Sequence, residues 1–255
     1  GATNNNTGTT LVLNEPASGA DGELMVATIV MDDSAGFART GWTVVSTPVV
    51  AGAKDYDFVV AYRLRSGSAS GTFGWTNSGF AIGSMHAFNG QHASTAVESV
   101  TAGTAVADTD KVAPSVSSTY DNSLLVDFCC EDNFGNWTPD AAFTERDDDG
   151  GYPGSGILVA TLQLSAAGAT GTHTHVSAGS DAGIAVRMVI VDDSPTGGSG
   201  MTGTIAATIT KATAALAGTK SYTGTAAATL QKLTAALSGY MQPSGAVAAT
   251  LQAAT

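Results

Sequence analysis

The chain has 255 residues, 31 of them glycine, and only 13% are charged, about half the roughly 25% usual for a soluble domain. Acids outnumber bases by 22 to 10, for a formal charge of −12. That balance excludes nucleic acid, which needs clustered Lys and Arg, and an anionic membrane surface as expected partners. No apolar run approaches the length of a membrane-crossing helix, and no basic-then-apolar leader is expected at the start.

In chain order, strand-like runs recur between Gly-, Ser-, Asn- and Asp-rich turns. They are Thr10-Leu-Val-Leu13, Leu24 to Met31, Thr43-Val-Val45, Phe58 to Leu64, Ala81 to Phe88, Leu124 to Cys130, Gly156 to Leu164 and Ile184 to Val191. No segment offers a long amphipathic helix. Many strands without helices imply an all-β sandwich or barrel.

The runs repeat. Asp21-Gly-Glu-Leu-Met-Val-Ala-Thr-Ile-Val-Met-Asp32 parallels Asp121-Asn-Ser-Leu-Leu-Val-Asp-Phe-Cys-Cys-Glu-Asp132, and Phe58 to Leu64 parallels Ile157 to Gln163. Trp42 and Phe143 follow in equivalent loops. Thr72-Phe-Gly-Trp75 is aligned with Thr172-His-Thr-His175, and the strands ending in Phe88 and Ile190 correspond. Residues 1–193 are therefore expected to be a β-sandwich with internal duplication, about 21–90 against 121–191. The two sets could form two small sandwiches or the halves of one jelly roll. A shared core buries more per residue, which favours the jelly-roll-like form.

Every acid lies at or before Asp193, and residues 194–255 carry three lysines and no acid. Ser194-Pro-Thr-Gly-Gly-Ser-Gly200 marks the change, so 194–201 reads as a linker. Beyond it, Thr202-Gly-Thr-Ile-Ala-Ala-Thr-Ile209, Thr223-Gly-Thr-Ala-Ala-Ala-Thr-Leu230 and Ser244-Gly-Ala-Val-Ala-Ala-Thr-Leu251 recur every 21 residues. Lys211-Ala-Thr-Ala-Ala-Leu-Ala-Gly218 and Lys232-Leu-Thr-Ala-Ala-Leu-Ser-Gly239 are second halves of the unit. Residues 202–255 are thus an Ala/Thr-rich repeat array. Helix and hairpin both fit its spacing. Thr content and Gly punctuation favour β-hairpins that gain stability by stacking or from partner chains.

Candidate chemical residues each meet a simpler reading. Cys129 and Cys130 are adjacent in a strand and face opposite ways, so buried free thiols are expected. His173 and His175 share a strand face at a chelating spacing, without an accompanying carboxylate or thiol pattern. His86 and His92 stand alone. The acid clusters Asp32-Asp33, Glu131-Asp132, Asp147-Asp-Asp149 and Asp192-Asp193 sit mostly at strand ends, where solvated turns are common. Arg146 to Pro153 tempts a calcium reading but lacks EF-hand spacing. Nothing selects a carboxylate pair for glycoside hydrolysis. Nucleophile-elbow, zinc-protease and phosphate-loop motifs are absent from the sequence. Trp42, Trp75 and Trp137 could stack on sugars, but core packing explains them more simply. Asn136-Trp-Thr138 is a glycosylation sequon only in a secreted eukaryotic setting. No catalytic, cofactor-binding or metal residue is assigned.

Gly22-Glu-Leu-Met-Val-Ala-Thr-Ile-Val30, Gly41-Trp-Thr-Val-Val45, Val60-Ala-Tyr-Arg-Leu64 and the second-half series Asn122 to Phe128, Phe143-Thr-Glu-Arg146 and Gly168 to Thr172 resemble the β-sandwich module of bacteriophage virion proteins. The tail repeats resemble low-complexity repeats in minor tail proteins of phages infecting actinobacteria. The resemblance implies a non-enzymatic virion component of the tail tip or fibre, assembled in the bacterial cytoplasm. Expected partners are other virion proteins, further copies of the chain and a host-surface glycan. Capsid decoration protein and carbohydrate-binding module are the alternatives.

Overall fold

The computed structural model describes residues 2–16, 20–31, 37, 39–51, 54–67, 71–132, 136–149, 155–193, 205–209, 226–230 and 247–251. The chain divides into two compact units, Gly1–Pro195 and Thr196–Thr255. The first unit is all-β, with no helix among its described residues, and its two large sheets form a β-sandwich.

The first sheet contains β1 (Ala2–Leu13), β2 (Leu24–Met31), β3 (Thr43–Ala51), β4 (Lys54–Leu64) and β5 (Gly71–Phe88), in the order β1-β5-β2-β4-β3. The second contains β6 (Val97–Ala102), the short β7 (Val106–Ala107), β10 (Leu124–Glu131), β12 (Thr144–Asp149), β13 (Gly156–Gln163) and β16 (Ala182–Ile190). Its order is β12-β13-β10-β16-β6, with β7 beside β16. Between them in sequence lie β8 (Asp110–Ala113), β9 (Ser117–Ser118), β11 (Trp137–Thr138), β14 (Gly168–Ala169) and β15 (His173–Ser177). Of these, β11, β15 and β8 form a small covering sheet, and β9 pairs with β14.

The two large sheets share one topology. Leu24 is paired with Phe88 and Leu64, and Leu124 with Ile190 and Gln163. Thr43 is opposite Tyr62, and Thr144 opposite Thr161. The register corrects one alignment. Leu11 pairs with Phe73 and Lys111 with His175, so the equivalent of Phe73 is His175 and not His173. The match of Thr72 to Thr172 overlooks a two-residue offset that the pairing exposes.

Period-two alternation explains the layers. Leu24, Val26 and Val30 of β2 and Phe58 and Val60 of β4 face Val126, Phe128 and Cys130 of β10 and Val186 and Met188 of β16 in one core between the sheets. The opposite faces are also buried. Met25, Ala27, Ile29 and Met31 pack with Leu11, Leu13, Trp42 and Phe73. Leu125 and Cys129 pack with Ala113, Trp137, Phe143 and Leu158. Strands buried on both faces read as continuous apolar runs, which is why β2 and β16 show no polar alternation.

The Tyr56 hydroxyl on β4 donates to the Ala182 carbonyl on β16, and His86 on β5 lies beside Asp147 on β12. Strands on opposite sides of β2 and β10 therefore meet at equivalent ends, the relation an approximate two-fold axis parallel to the strands would produce. Each sheet comes from one contiguous stretch of chain, residues 2–88 and 97–190. The finer jelly-roll reading does not describe this connectivity, because a jelly roll passes the chain back and forth between its sheets.

In the second unit, β17 (Ile205–Ile209), β18 (Ala226–Leu230) and β19 (Val247–Leu251) pair in parallel, with Ile205, Ala226 and Val247 at one register position. The hairpin expectation gives way, among the described residues, to one parallel strand per repeat. A 21-residue period brings like residues into register, so each copy's backbone is paired by the next. The second halves of the unit, 211–218 and 232–239, lie outside the described residues, as do the linker 194–201, Asp32-Asp33 and the loop 150–154.

Candidate functional site

The equivalence of the two sheets exposes a chemical difference between them. On the covered face of the first sheet, paired positions hold Leu11 with Phe73, Ala27 with Met85 and Met31 with Ala81. In the second half the same positions hold Lys111 with His175 on the covering sheet, and Asp127 with Arg187 and Glu131 with Gly183 on the large sheet. An apolar layer in one half is a charged layer in the other. Lys111, Asp127, Glu131, His175 and Arg187 are all 0% exposed.

Asp127 is the centre. Its Oδ1 accepts from Arg187 Nε at 2.7 Å, and its Oδ2 accepts from Arg187 Nη2 at 2.7 Å and faces His175 Nε2 at 2.9 Å. The Asp140 N–H donates to His175 Nδ1 at 3.2 Å, so Nε2 carries the ring hydrogen toward Asp127. Arg187 Nη1 donates to the carbonyls of Gly171 at 2.7 Å and Pro114 at 2.9 Å and to Thr170 Oγ1 at 3.1 Å. Phe143 closes the cluster. Its ring centroid is 5.1 Å from His175 and 5.0 Å from His173, both edge-on, and Arg187 lies 5.8 Å from it.

Every nitrogen of the two strand histidines is engaged. His173 Nδ1 faces Asp140 Oδ2 and Nε2 faces the Thr170 carbonyl, each at 3.2 Å. The pair shares a strand as the spacing suggests, but its ring nitrogens point at different protein atoms and leave no common point for a cation. The Ala142 N–H, with His173 beside it, holds the Asp140 carboxyl below its ordinary range.

Lys111 and Glu131 form a second buried pair, with Nζ 4.0 Å from Oε2. Lys111 Nζ donates to the Asp108 carbonyl. Neither Glu131 oxygen accepts a hydrogen bond of ordinary geometry, and the neighbouring Ser177 hydroxyl donates to Gly179 O at 2.7 Å. Burial lowers the Lys111 ammonium from its ordinary value, against the pull of Glu131. Burial likewise raises Glu131, against Ser177 and Lys111. Both shifts favour the uncharged forms.

A third polar line runs inside the sandwich. Thr28 Oγ1 is 2.9 Å from Ser84 Oγ, which is 2.9 Å from His86 Nε2, and the same nitrogen lies 3.3 Å from Asp147 Oδ2. Serine, histidine and aspartate meet here, but one ring nitrogen faces both partners, whereas a relay needs one partner on each nitrogen. Ser84 is also fully buried. Burial opposes ionisation of Asp147, yet His86 together with weaker contributions such as Ser84 outweighs it and the carboxyl lies below its ordinary value.

Asp147 turns inward to His86, while Asp148 accepts from the Trp137 N–H at 3.1 Å, so neighbouring acids of that cluster point apart and cannot chelate together. Asp193 closes a backbone bond to Gly90. His92 Nδ1 caps the Thr95 N–H at 3.1 Å. Cys129 and Cys130 are unbridged and buried on opposite faces, and burial pushes both thiols up, which makes them inert. Trp42 and Trp137 are 9% and 4% exposed, so neither ring is a platform for a sugar; the Trp75 side chain lies outside the description. A groove of about 430 Å³, bordered by Leu24, Thr43, Tyr62, Arg63, Leu64 and Val97, opens at one end of the sandwich.

The sequence reading missed Asp127 and Arg187, although both sit within apolar strand runs where an ionised residue is costly. The duplicated copy carried the signal, since it has Ala27 and Met85 there. No family model, no curated protein and no solved structure matches the chain.

Proposed function

We propose that the protein is a non-enzymatic structural component of a bacteriophage virion, a minor tail protein of the tip or fibre. In this reading the sandwich is the displayed or docking module, and the repeats join it to other virion proteins or to further copies of the chain. The observation that carries it is the repeat stack. Three copies contribute one strand each at a fixed register, and stacked units of this kind gain their stability from neighbours, which suits a fibre or oligomer. The His175–Asp127–Arg187 and His86–Asp147 clusters support the non-enzymatic part, because their acids and bases are committed to one another within the core. Buried unpaired thiols suit assembly in a reducing cytoplasm.

The test is quantitative mass spectrometry of purified particles, scaled to the major capsid and tail-tube proteins. A few copies per particle are expected. Hundreds of copies would transfer the protein to the capsid surface as a decoration protein, and complete absence would discard the virion reading.

A further inference from the structure

We propose that Lys111 and Glu131 are the two ends of an intramolecular amide cross-link, formed between Lys111 Nζ and Glu131 Cδ, that ties the covering sheet to the large sheet beneath it. The two side chains come from different sheets, β8 and β10. They are completely buried, with the amine 4.0 Å from the carboxyl oxygen. Attack on Cδ needs an approach of about 3–3.5 Å, so Lys111 Nζ must leave the Asp108 carbonyl and move toward the carboxyl. The carboxyl makes no ordinary hydrogen bond that would fix it as an anion. Gly183 opens the lane for the amine: a Cβ there would lie 2.1 Å from Lys111 Cε and 2.3 Å from the Cys130 carbonyl oxygen.

The chemistry needs a neutral amine and a protonated acid. Burial drives both groups that way. The Nζ lone pair adds to Cδ, the bond from Cδ to its hydroxyl breaks, and the hydroxyl leaves with one amine proton as water. No oxidant or co-reactant enters. The Ser177 hydroxyl beside the carboxyl, on turning from the Gly179 carbonyl, can donate to the developing oxyanion and pass the proton. In water the two groups would persist as hydrated ions, but in a dry site ions are costly and an amide is neutral. The first half is the internal contrast: its equivalents of Lys111 and Glu131 are Leu11 and Met31, which cannot react. The inference is independent of the virion reading, since it concerns only the covalent state of the folded chain.

The experiment is intact-mass measurement of the full chain followed by peptide mapping. The expected result is a mass lower by one water, with a branched peptide joining Lys111 to Glu131. Lys111→Met and Glu131→Leu should each restore the unmodified mass. If a variant fails to fold, the map of the unaltered chain decides alone. An unmodified mass with Lys111 recovered in a linear peptide would overturn the proposal. So would a water loss that maps to cyclisation at Asp21-Gly22 or Asp149-Gly150.

Discussion

Asp127 is the residue on which the second half turns. It neutralises Arg187, which in turn holds the carbonyls of Pro114 and Gly171. Removing one member of a buried pair leaves an uncompensated charge, whereas replacing the whole set with well-packed apolar residues is often neutral or better. Asp127→Ala is therefore expected to cost about 3–5 kcal/mol in urea unfolding. The triple change Asp127→Ala, Arg187→Met, His175→Phe, which copies the first half, should recover most of that loss. Failure of the triple variant to outperform the single one would place the value of the network in its loop contacts. Asp147 gives a pH test. Its folded value is depressed, so its contribution is fully present above the unfolded value, about 4, and is lost as pH falls through the lower folded value. Melting temperature followed from pH 6 downward should drop less steeply in Asp147→Asn than in the unaltered protein.

At the scale of elements, the same strand is built two ways. The equivalent of the continuous β5 in the second half is split into β15 and β16, and β1 corresponds to the end of β6 followed by β7 and β8. The register shift between Gly8 and Thr10 marks the bend in the first half where the second half breaks. Gly183 on β16 is the tightest point of the charged layer, since an added Cβ meets both a side chain and a backbone carbonyl. Its counterpart in the first half is Ala81, in an apolar layer where Leu11 stands in place of the longer Lys111. Gly183→Ala should thus destabilise by about 1–3 kcal/mol as an overpacked core, read as a lowered melting temperature. An Ala81→Gly change at the equivalent site removes no clash and would not reproduce the effect by that mechanism.

Across the first unit, the core between the sheets is drawn from both halves, so neither half can keep its inner face buried without the other. Trp42 and Trp137 report separately on the two outer layers. Chain variants retaining only one of them, with Trp75 also replaced, should show coincident denaturant transitions, as expected of cooperative unfolding. Phe128→Ala, at the centre of the shared core, should lower both transitions together by about 3–5 kcal/mol. Separate midpoints would mean that the halves unfold independently despite the common core.

The all-β class was legible from the residues because strand alternation and turn chemistry are local in the chain. The runs at Leu24 to Met31 and Leu124 to Cys130 declare themselves within a few positions, and so does the repeat period of the tail. Partnership is not local. Asp127 finds His175 48 residues away and Arg187 60 residues away, and nothing near Asp127 in sequence announces either. The direction of pairing between repeats, the face that each sheet turns to its equivalent, and the conversion of one covered face from apolar to charged were decided only in three dimensions. Hydrogen-bond register and burial depend on which strands become neighbours, and a linear pattern does not encode that choice by itself.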